Sequence, residues 1–258
     1  MSNIHWTSAI TKVEPNKLSV RGYVLDSLIG KASYAQMVYL LLKGEMPSEK
    51  TSKMIEAILV SSVDHGTTPP SVLSALTVAS TGAPLNASVA AGILSISKFH
   101  GGAIEDCMHI LKSAKDMQIE KKISAPEAVN IIIQQFKSEN KRLSGFGHRL
   151  HTNDPRTHKL FSLAEQLGIA GDFCYLAQTF VARLKEITGK DLPLNVDGAI
   201  AALLCEMDFD PILANGFFMI ARVPGLIAHI YEEKIRQKPM RKIHPTDVAY
   251  DGPENKSI

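Results

Sequence analysis

Residues 86–102 read NASVAAGILSISKFHGG, and this stretch decides the fold class. Its first part, Asn86–Ser97, carries apolar side chains at three- and four-residue spacings, which is the period of an α-helix. Its second part ends that pattern with His100 and a pair of glycines. The same helical period returns in Ala35–Leu42, Ser52–Val63, Ser71–Thr81, Ile104–Met117, Ala125–Phe136, Lys159–Leu167 and Phe173–Ile187. The sequence therefore predicts a nearly all-α fold, with Leu18–Val24 as the best strand signal.

Two segments, Ala199–Leu204 and Pro211–Ile230, are apolar almost all round. At these lengths, a helix with apolar side chains on all faces is typically buried in a core or a subunit interface. The second segment contains Arg222 and His229, which a lipid-facing helix disfavours. The interpretation is therefore a buried helix and not a membrane span.

Composition excludes several classes of function. The chain has 258 residues, 45% of them hydrophobic, and a formal net charge of +2. This near balance gives no indication of a nucleic acid or a membrane surface as partner. Cys107, Cys174 and Cys205 are widely spaced in apolar helical contexts, which predicts buried thiols in a reducing compartment. The stretch MSNIHWTSAITKVEPNK lacks the pattern of a signal peptide, so a cytoplasmic protein is expected.

Four titratable residues stand beside small or helix-breaking residues. His65 lies in Asp-His-Gly, His100 in Phe-His-Gly-Gly, His148 in Gly-Phe-Gly-His-Arg, and Asp197 follows Leu-Asn-Val. Each has a structural alternative, since a histidine can complement the dipole at a helix C-terminus and Asp197 can be the N-cap of the helix that follows. Cysteine and carboxylate ligands are absent at zinc spacing around them, so no metal is expected.

Two arginines are also candidates for function. Arg156 lies in Asp-Pro-Arg, and Arg222 interrupts a strongly apolar stretch. A buried guanidinium needs an anionic partner. From the sequence, an internal Asp or Glu and a ligand carboxylate are equally consistent with Arg222.

Together and in this order, the motifs resemble the citrate synthase superfamily over nearly the whole chain. The ordered set is Arg21-Gly22-Tyr23, Asp64-His65, Phe99-His100-Gly101-Gly102, Gly145-Phe146-Gly147-His148-Arg149, Asp154-Pro155-Arg156, Asn195-Val196-Asp197 and Ala221-Arg222-Val223-Pro224-Gly225. The resemblance implies a mostly helical, two-domain fold that works as a homodimer or a dimer of dimers. It further implies a large domain of residues 1–102 and 209–258, with 103–208 as an inserted small domain on the CoA side.

The resemblance also implies the role of each candidate. His100 is similar to the histidine that hydrogen-bonds the thioester oxygen of the acetyl-CoA enolate. Asp197 matches the carboxylate that exchanges a proton with the acetyl methyl carbon, and His148 matches the histidine at the oxaloacetate carbonyl oxygen. His65, Arg156 and Arg222 match the residues that hold the dicarboxylate. No metal or redox cofactor is implied, because coenzyme A enters only as a thioester substrate or product.

Coenzyme A is expected to lie against the small domain. The residues that the resemblance places near it are Arg142, Gly145, Phe146, Gly147 and Arg149. The neighbouring Lys141 is equally consistent with a solvated basic face.

Three departures from the synthase pattern resemble the citryl-CoA lyase group, which includes the lyase domain of ATP-citrate lyase. The chain is short, Gly198 follows Asp197 where synthases usually carry an aromatic residue, and His244 replaces an arginine that reaches the partner subunit's citrate. The resemblance therefore implies cleavage of citryl-CoA to acetyl-CoA and oxaloacetate, with His244 acting in trans. Loss of an always-charged arginine suits an enzyme that must release oxaloacetate.

Three alternatives stay open at this point. A short citrate or 2-methylcitrate synthase would use the same groups in the condensation direction. A non-catalytic relative that binds CoA or a carboxylate would be expected to lose His100, His148 or Asp197, and all three are present. The chain can also act beside a separate citryl-CoA synthetase, because it has no phosphate-binding loop with which to activate citrate.

Overall fold

The computed structural model describes residues 6–147 and 154–241. Three strands precede the helices, β1 Thr11–Glu14, β2 Lys17–Val20 and β3 Tyr23–Val24. The α-helices in the described ranges are α1 Leu25–Leu28, α2 Tyr34–Lys43, α3 Glu49–Ser61, α4 Pro70–Ser80, α5 Leu85–Leu94, α6 Ala103–Lys121, α7 Ala125–Ser138, α8 Pro155–Leu167, α9 Asp172–Thr188, α10 Val196–Glu206 and α11 Ala214–Arg236. A 3-10 turn, Pro211–Leu213, precedes α11. The predicted all-α class is confirmed.

The strand prediction needs a correction. Instead of one strand over 18–24, the chain forms a three-stranded antiparallel sheet in the order β1-β2-β3, with Thr11 opposite Val20 and Ser19 opposite Val24. Backbone geometry explains the interruption, because Asn16 has φ of 59° and Gly22 has φ of 88°. A left-handed residue at each position reverses the chain and ends the strand before it.

The chain separates into two compact units. The first comprises Met1–Asp64 and Ser97–Arg222, and the second comprises His65–Ile96 and Val223–Ile258. These boundaries differ from the two domains that the sequence predicts, and that predicted division stays a prediction.

The first unit is built around α10. This helix packs against α6, α8 and α9, and every residue from Gly198 to Cys205 is buried. Small alanine side chains and the absence of any charge over Gly198–Cys205 allow close packing on all sides. The predicted burial of Ala199–Leu204 is confirmed.

The three cysteines are free and buried, as predicted. Burial raises the pKa of Cys174 and of Cys205 to about 12. Burial also raises the pKa of Cys107. At neutral pH these thiols are therefore protonated and act as small apolar side chains.

The second unit has its own small core. Helices α4 and α5 pack on each other, and the buried cluster consists of Val72, Ala75, Leu76, Ala79, Leu226 and Ile230. A β-carbon at Gly92 would lie 2.8 Å from Leu226 Cδ1 and 3.0 Å from Ser71 O. The absence of a side chain at Gly92 is thus what lets this hairpin close onto α11.

The segment Pro211–Arg236 has a mean hydropathy of 1.5 over its most apolar window, which suffices in length and composition to cross a membrane. The core helix of a globular protein meets the same criterion. Phe217, Arg222, Leu226 and Ile230 are each 0–2% exposed within the protein. The burial predicted for this segment therefore holds at these positions.

Candidate functional site

A tight turn over Ser97–Gly102 places His100 just ahead of α6. The His100 N–H donates to the Ser97 carbonyl at 2.8 Å, and the Ser97 N–H donates to the His100 carbonyl at 2.9 Å. Gly101 has φ of 80°, and a β-carbon at Gly102 would lie 2.8 Å from both Lys98 Cα and Ser97 O. The positive φ favours glycine at position 101 and the close contacts require it at position 102, so the Phe-His-Gly-Gly motif fixes the backbone that carries the imidazole.

Asp197 occupies the first turn of α10. The side chain of Asn195, not that of Asp197, caps this helix by accepting from the Gly198 N–H at 3.0 Å. The alternative interpretation of Asp197 as an N-cap is therefore wrong, and capping of α10 does not require its carboxyl group.

The carboxyl group of Asp197 is heavily desolvated, although part of the residue remains accessible. Burial is the main cause that raises its pKa to about 6, and the charge of Asp154 acts in the same direction. Arg156 and Arg222 partly oppose the rise. A carboxyl group with such a pKa is partly protonated near neutral pH and can deliver a proton.

His100 contacts the ring of Phe218 edge to face, with ring centroids 5.6 Å apart. Burial, reinforced by the positive charge of Arg222, lowers the pKa of this imidazole. His100 is therefore neutral at pH 7, and a neutral imidazole can still donate one hydrogen bond to a developing oxyanion.

Arg222 is 2% exposed. Its Nε donates to the Ser62 carbonyl at 3.0 Å, and its guanidinium carbon lies 4.8 Å from the centroid of the Phe218 ring. Among the residues that the structure describes, its Nη1 has no hydrogen-bond partner. The negative charges of Asp64 and Asp197 partly offset the burial that lowers the pKa of Arg222. Internal carboxylates therefore contribute to the surroundings of this guanidinium, and the buried Nη1 is the atom that a ligand carboxylate could satisfy.

Arg156 differs, because it forms a bidentate ion pair with the fully buried Asp154. Its Nε and Nη2 donate to the two carboxylate oxygens at 3.0 and 2.8 Å. Asp154 also accepts from the Arg156 backbone N–H and caps α8. This pair orients the guanidinium and leaves its remaining N–H donors for a ligand.

The predicted CoA loop lies against the start of α10. The Asn195 N–H donates to the Gly145 carbonyl at 3.0 Å, and the Gly147 N–H donates to the Pro193 carbonyl at 2.7 Å. A β-carbon at Gly198 would lie 2.5 Å from Gly145 O. Gly198 is thus required by the close approach of the loop, which gives a packing reason for the glycine that distinguishes this chain from the synthase pattern.

Gly198→Ala is expected to lower the free energy of unfolding by about 2 kcal/mol, because the new methyl group must displace backbone. Urea unfolding measures this change. Gly216→Ala is the matched control, since Gly216 is also the third residue of a helix and a β-carbon added there would have no atom within 4 Å. That control should be neutral or slightly stabilising. Equal stability of the two variants would contradict the packing argument.

A cleft of about 830 Å³ opens beside the same loop in the first unit. Four of its residues are cationic, namely Lys137, Lys141, Arg142 and Lys190. Its apolar walls include Ile133, Phe136, Leu143, Phe146, Leu184, Ile187 and Leu192. Cations around an apolar cleft suit a ligand with a flat or aliphatic body and phosphate groups.

His100, Asp197, Arg156 and Arg222 all lie in the first unit, close enough for their charges to affect one another. The charge of Arg222 shifts the pKa of both His100 and Asp197, and that of Arg156 shifts the pKa of Asp197. His65 begins the second unit. His148, Arg149 and His244 lie outside the described residues. Among those that are described, no group of three or more His, Cys, Asp or Glu side chains could hold a metal ion.

The sequence did not predict three residues that contact these candidate site residues. Phe218 touches both His100 and Arg222, Asp154 orients Arg156, and Ser62 accepts from Arg222. Phe218 was detectable, because it precedes Arg222 by four residues and shares a helix face with it. Ser62 gave no signal, since the contact uses its backbone carbonyl.

Comparison with known proteins identifies relatives of this chain. The profile of the family described as "Citrate synthase, C-terminal domain" matches residues 47–246. ATP-citrate synthase beta chain protein 1 of Arabidopsis thaliana is 27% identical over 95% of this chain and 42% of its own. Citrate synthase of Haloferax volcanii is 30% identical over 78% of this chain and 52% of its own. The chain thus spans about half the length of these curated relatives.

Solved structures extend the comparison. Citryl-CoA lyase from Hydrogenobacter thermophilus is 42% identical, with a TM-score of 0.89 over 99% of this chain and 98% of that one. ATP citrate lyase from Methanothrix soehngenii, solved with citrate and coenzyme A, is 24% identical, with a TM-score of 0.82 over 98% of this chain and 42% of that one. The second likeness bears on the fold alone.

Proposed function

The chain belongs to the citrate synthase family, and from this premise we propose that it is a citryl-CoA lyase, which cleaves citryl-CoA to acetyl-CoA and oxaloacetate. The observation that carries the proposal is the likeness to a citryl-CoA lyase along almost the whole of both chains. The site supports it, because the pKa of Asp197 is raised and that of His100 is lowered, and these are the directions that a proton donor and a neutral oxyanion donor need.

The reaction is a retro-Claisen cleavage. His148, in the role that the resemblance gives it, takes the proton of the tertiary hydroxyl group as the carbon–carbon bond breaks. The electron pair of that bond moves onto the thioester, where neutral His100 donates a hydrogen bond to the enolate oxygen. The protonated form of Asp197, which its raised pKa makes more abundant near neutral pH, then gives its proton to the enolate carbon and forms the acetyl group. The products are oxaloacetate and acetyl-CoA, and atoms and charges balance once His148 and Asp197 exchange a proton with solvent.

We assign the carboxylates of the citryl group to Arg222, Arg156 and His65. Support for Arg222 comes from its unpartnered Nη1 in a buried position. Support for Arg156 comes from the way Asp154 holds its guanidinium in one orientation. Fixed guanidinium groups hold the scissile bond in one orientation before reaction. His244 is assigned a contribution to the partner subunit's site.

Coenzyme A is assigned to the 830 Å³ cleft beside Gly145–Gly147. Phe146 and Gly147 line it, and Arg142 stands at its rim with an exposed side chain. Arg142 forms no ion pair within the part of the chain that the structure describes, whereas Lys141 is bound to Glu139 at 2.6 Å. An unpaired guanidinium beside an apolar cleft suits a phosphate group of the coenzyme.

Arg142→Glu is therefore expected to raise the KM for citryl-CoA by about tenfold or more with little change in kcat, since a charge-assisted hydrogen bond contributes about 1.5–3 kcal/mol. Steady-state kinetics measure both parameters. The control is Lys31→Glu, which makes the same charge reversal at an exposed position outside the cleft. A KM that changes equally in both variants would remove Arg142 from the CoA site.

We also propose that the protein forms a homodimer through the second unit. Residues 65–97 contain no Asp, Glu, Lys or Arg, although they include the hairpin of α4 and α5. Leu94 is 82% exposed and Tyr231 is 65% exposed in the single chain. An uncharged apolar surface can meet its own copy about a two-fold axis without charge repulsion. Sedimentation velocity should give at least twice the chain mass of 28.1 kDa.

The function is tested with purified protein and citryl-CoA, by coupling oxaloacetate release to malate dehydrogenase. Rapid oxaloacetate release with little CoA release from acetyl-CoA plus oxaloacetate supports the lyase. Efficient CoA release in the second assay makes the protein a short citrate synthase, the alternative that the Haloferax volcanii relative favours. Inactivity in both assays refutes the catalytic assignment. A cytoplasmic location and coupling to a separate citryl-CoA synthetase are further parts of the proposal.

A further inference from the structure

The side chain of Asn195 makes two hydrogen bonds in opposite directions. Its Oδ1 accepts from the Gly198 N–H at 3.0 Å, and its Nδ2 donates to the Gly147 carbonyl at 2.9 Å. The amide orientation is set by these partners, because a backbone N–H can only donate and a backbone carbonyl can only accept. One side chain therefore joins the first turn of α10 to the Gly145–Gly147 loop.

The two segments that Asn195 joins have different predicted tasks. The first turn of α10 carries Asp197, the proposed proton donor. The Gly145–Gly147 loop lines the proposed CoA cleft. A proton reaches the enolate carbon only if the thioester and the carboxyl group keep a fixed separation, and a misplacement of about 1 Å costs roughly 10²-fold in rate.

The backbone hydrogen bonds between the loop and the Pro193–Asn195 segment end before α10, which the loop meets only by the packing of the Gly145 carbonyl on Gly198. Phe146 and Leu194 form an isolated antiparallel bridge, and the Gly147 and Asn195 N–H groups bond across the two segments. The Asn195 side chain adds the link from this short ladder to Gly198, one residue beyond Asp197.

We propose that Asn195 is a positioning residue that holds the CoA loop in register with Asp197. The inference rests on the proposed lyase function and assigns to Asn195 a task beyond capping a helix. It predicts that the two hydrogen bonds can be separated, with the Oδ1 bond affecting stability and the Nδ2 bond affecting the reaction.

Two substitutions separate them. Ser and Asp are about as good as Asn at an N-cap, so Asn195→Ser and Asn195→Asp both keep an acceptor for Gly198. Serine has no amide to reach the Gly147 carbonyl, and aspartate places an oxygen against it. We expect little change in Tm for Asn195→Ser and a lower Tm for Asn195→Asp, with a loss in kcat/KM of about 10- to 100-fold for Ser and more for Asp. In the Asp variant, the fall of kcat/KM that reflects ionisation of Asp197 should also move to higher pH, because a second anion disfavours this ionisation.

The experiment measures Tm, kcat, KM and hydrogen exchange on the full chain for the wild type, both variants and the cap control Ser48→Asn on α3. The expected result is a normal Tm in Asn195→Ser, with a loss in kcat/KM and faster exchange at Gly145–Gly147 in the two Asn195 variants alone. Wild-type kcat/KM and exchange in Asn195→Ser would overturn the inference. If the wild type itself fails to cleave citryl-CoA, the proposed function falls, and exchange alone then decides whether Asn195 holds the loop.

Discussion

Replacing Asp197 with asparagine is expected to lower kcat for citryl-CoA cleavage by about 10³-fold, within the range of roughly 10²–10⁴ for general acid–base groups. Asparagine matches the carboxyl group in shape and keeps the hydrogen-bonding surroundings, but it has no proton to give to the enolate carbon. The malate dehydrogenase-coupled assay measures the loss. The control, Asp116→Asn, neutralises an exposed acid on α6 and should retain full activity.

The same substitution should stabilise the folded protein at neutral pH. The pKa of Asp197 is raised by burial to about 6, so its ionisation opposes folding. For a raised carboxyl pKa, this penalty is absent below pH 4, grows as the pH rises toward 6 and is constant above it. Its upper bound is about 3 kcal/mol, given an ordinary pKa near 4 and 1.36 kcal/mol for each pKa unit.

Urea unfolding of wild type and Asp197→Asn at pH 4.5 and pH 7.5 tests this sign. The stability gain of the variant should be larger at pH 7.5, and kcat/KM of the wild type should fall as the pH rises above about 6. An inactive variant that is less stable at both pH values would indicate a structural role for Asp197. A stability gain that does not grow between pH 4.5 and pH 7.5 would contradict the raised pKa of Asp197.

Arg222→Met is expected to lower kcat/KM for citryl-CoA by about 10²–10³-fold, through the loss of charge-assisted bonds to a carboxylate that contribute about 1.5–3 kcal/mol each. Methionine fills similar space and can pack on Phe218, so Tm should change little. Removal of a desolvated charge opposes the loss of the bond to the Ser62 carbonyl and of the attraction to Asp64 and Asp197.

Product inhibition shows where the loss arises. Inhibition by oxaloacetate should weaken in Arg222→Met, whereas inhibition by acetyl-CoA should not, because only oxaloacetate carries the carboxylates. The control is Arg183→Met on α9, which removes a partly exposed guanidinium that pairs with Glu186. Parallel weakening of both inhibitors would mean that Arg222 supports the whole site and does not bind the carboxylate itself.

Helices and family could be predicted from the sequence because both depend on local information. The apolar period of Ser52–Val63 or Ala125–Phe136 is a property of neighbouring residues, and each family motif is a run of only two to five residues. The strands around Asn16 and Gly22 were harder, since one left-handed residue ends a strand without changing the apolar pattern. The sequence left open whether Asp197 caps α10, and the structure shows that the side chain of Asn195 does so.

The environment of the site could not be predicted, because contacts distant in the chain create it. Arg222 meets the carbonyl of Ser62 across 160 positions, and Asn195 meets Gly147 across 48. The raised pKa of Asp197 depends on the packing of the other helices around α10. No local pattern encodes these contacts.

The close approach of Gly198 to the Gly145 carbonyl constrains how this chain can evolve. An aromatic residue at position 198, as synthases usually carry, requires the loop at Gly145 to move first, and Gly145 is itself confined by Cys107, whose Sγ would lie 2.6 Å from a β-carbon there. Substitutions at the three positions are therefore expected to show strong epistasis. An evolutionary change from glycine to an aromatic residue at position 198 therefore needs several coordinated substitutions. A substitution at position 198 alone is expected to give a poorly folded protein.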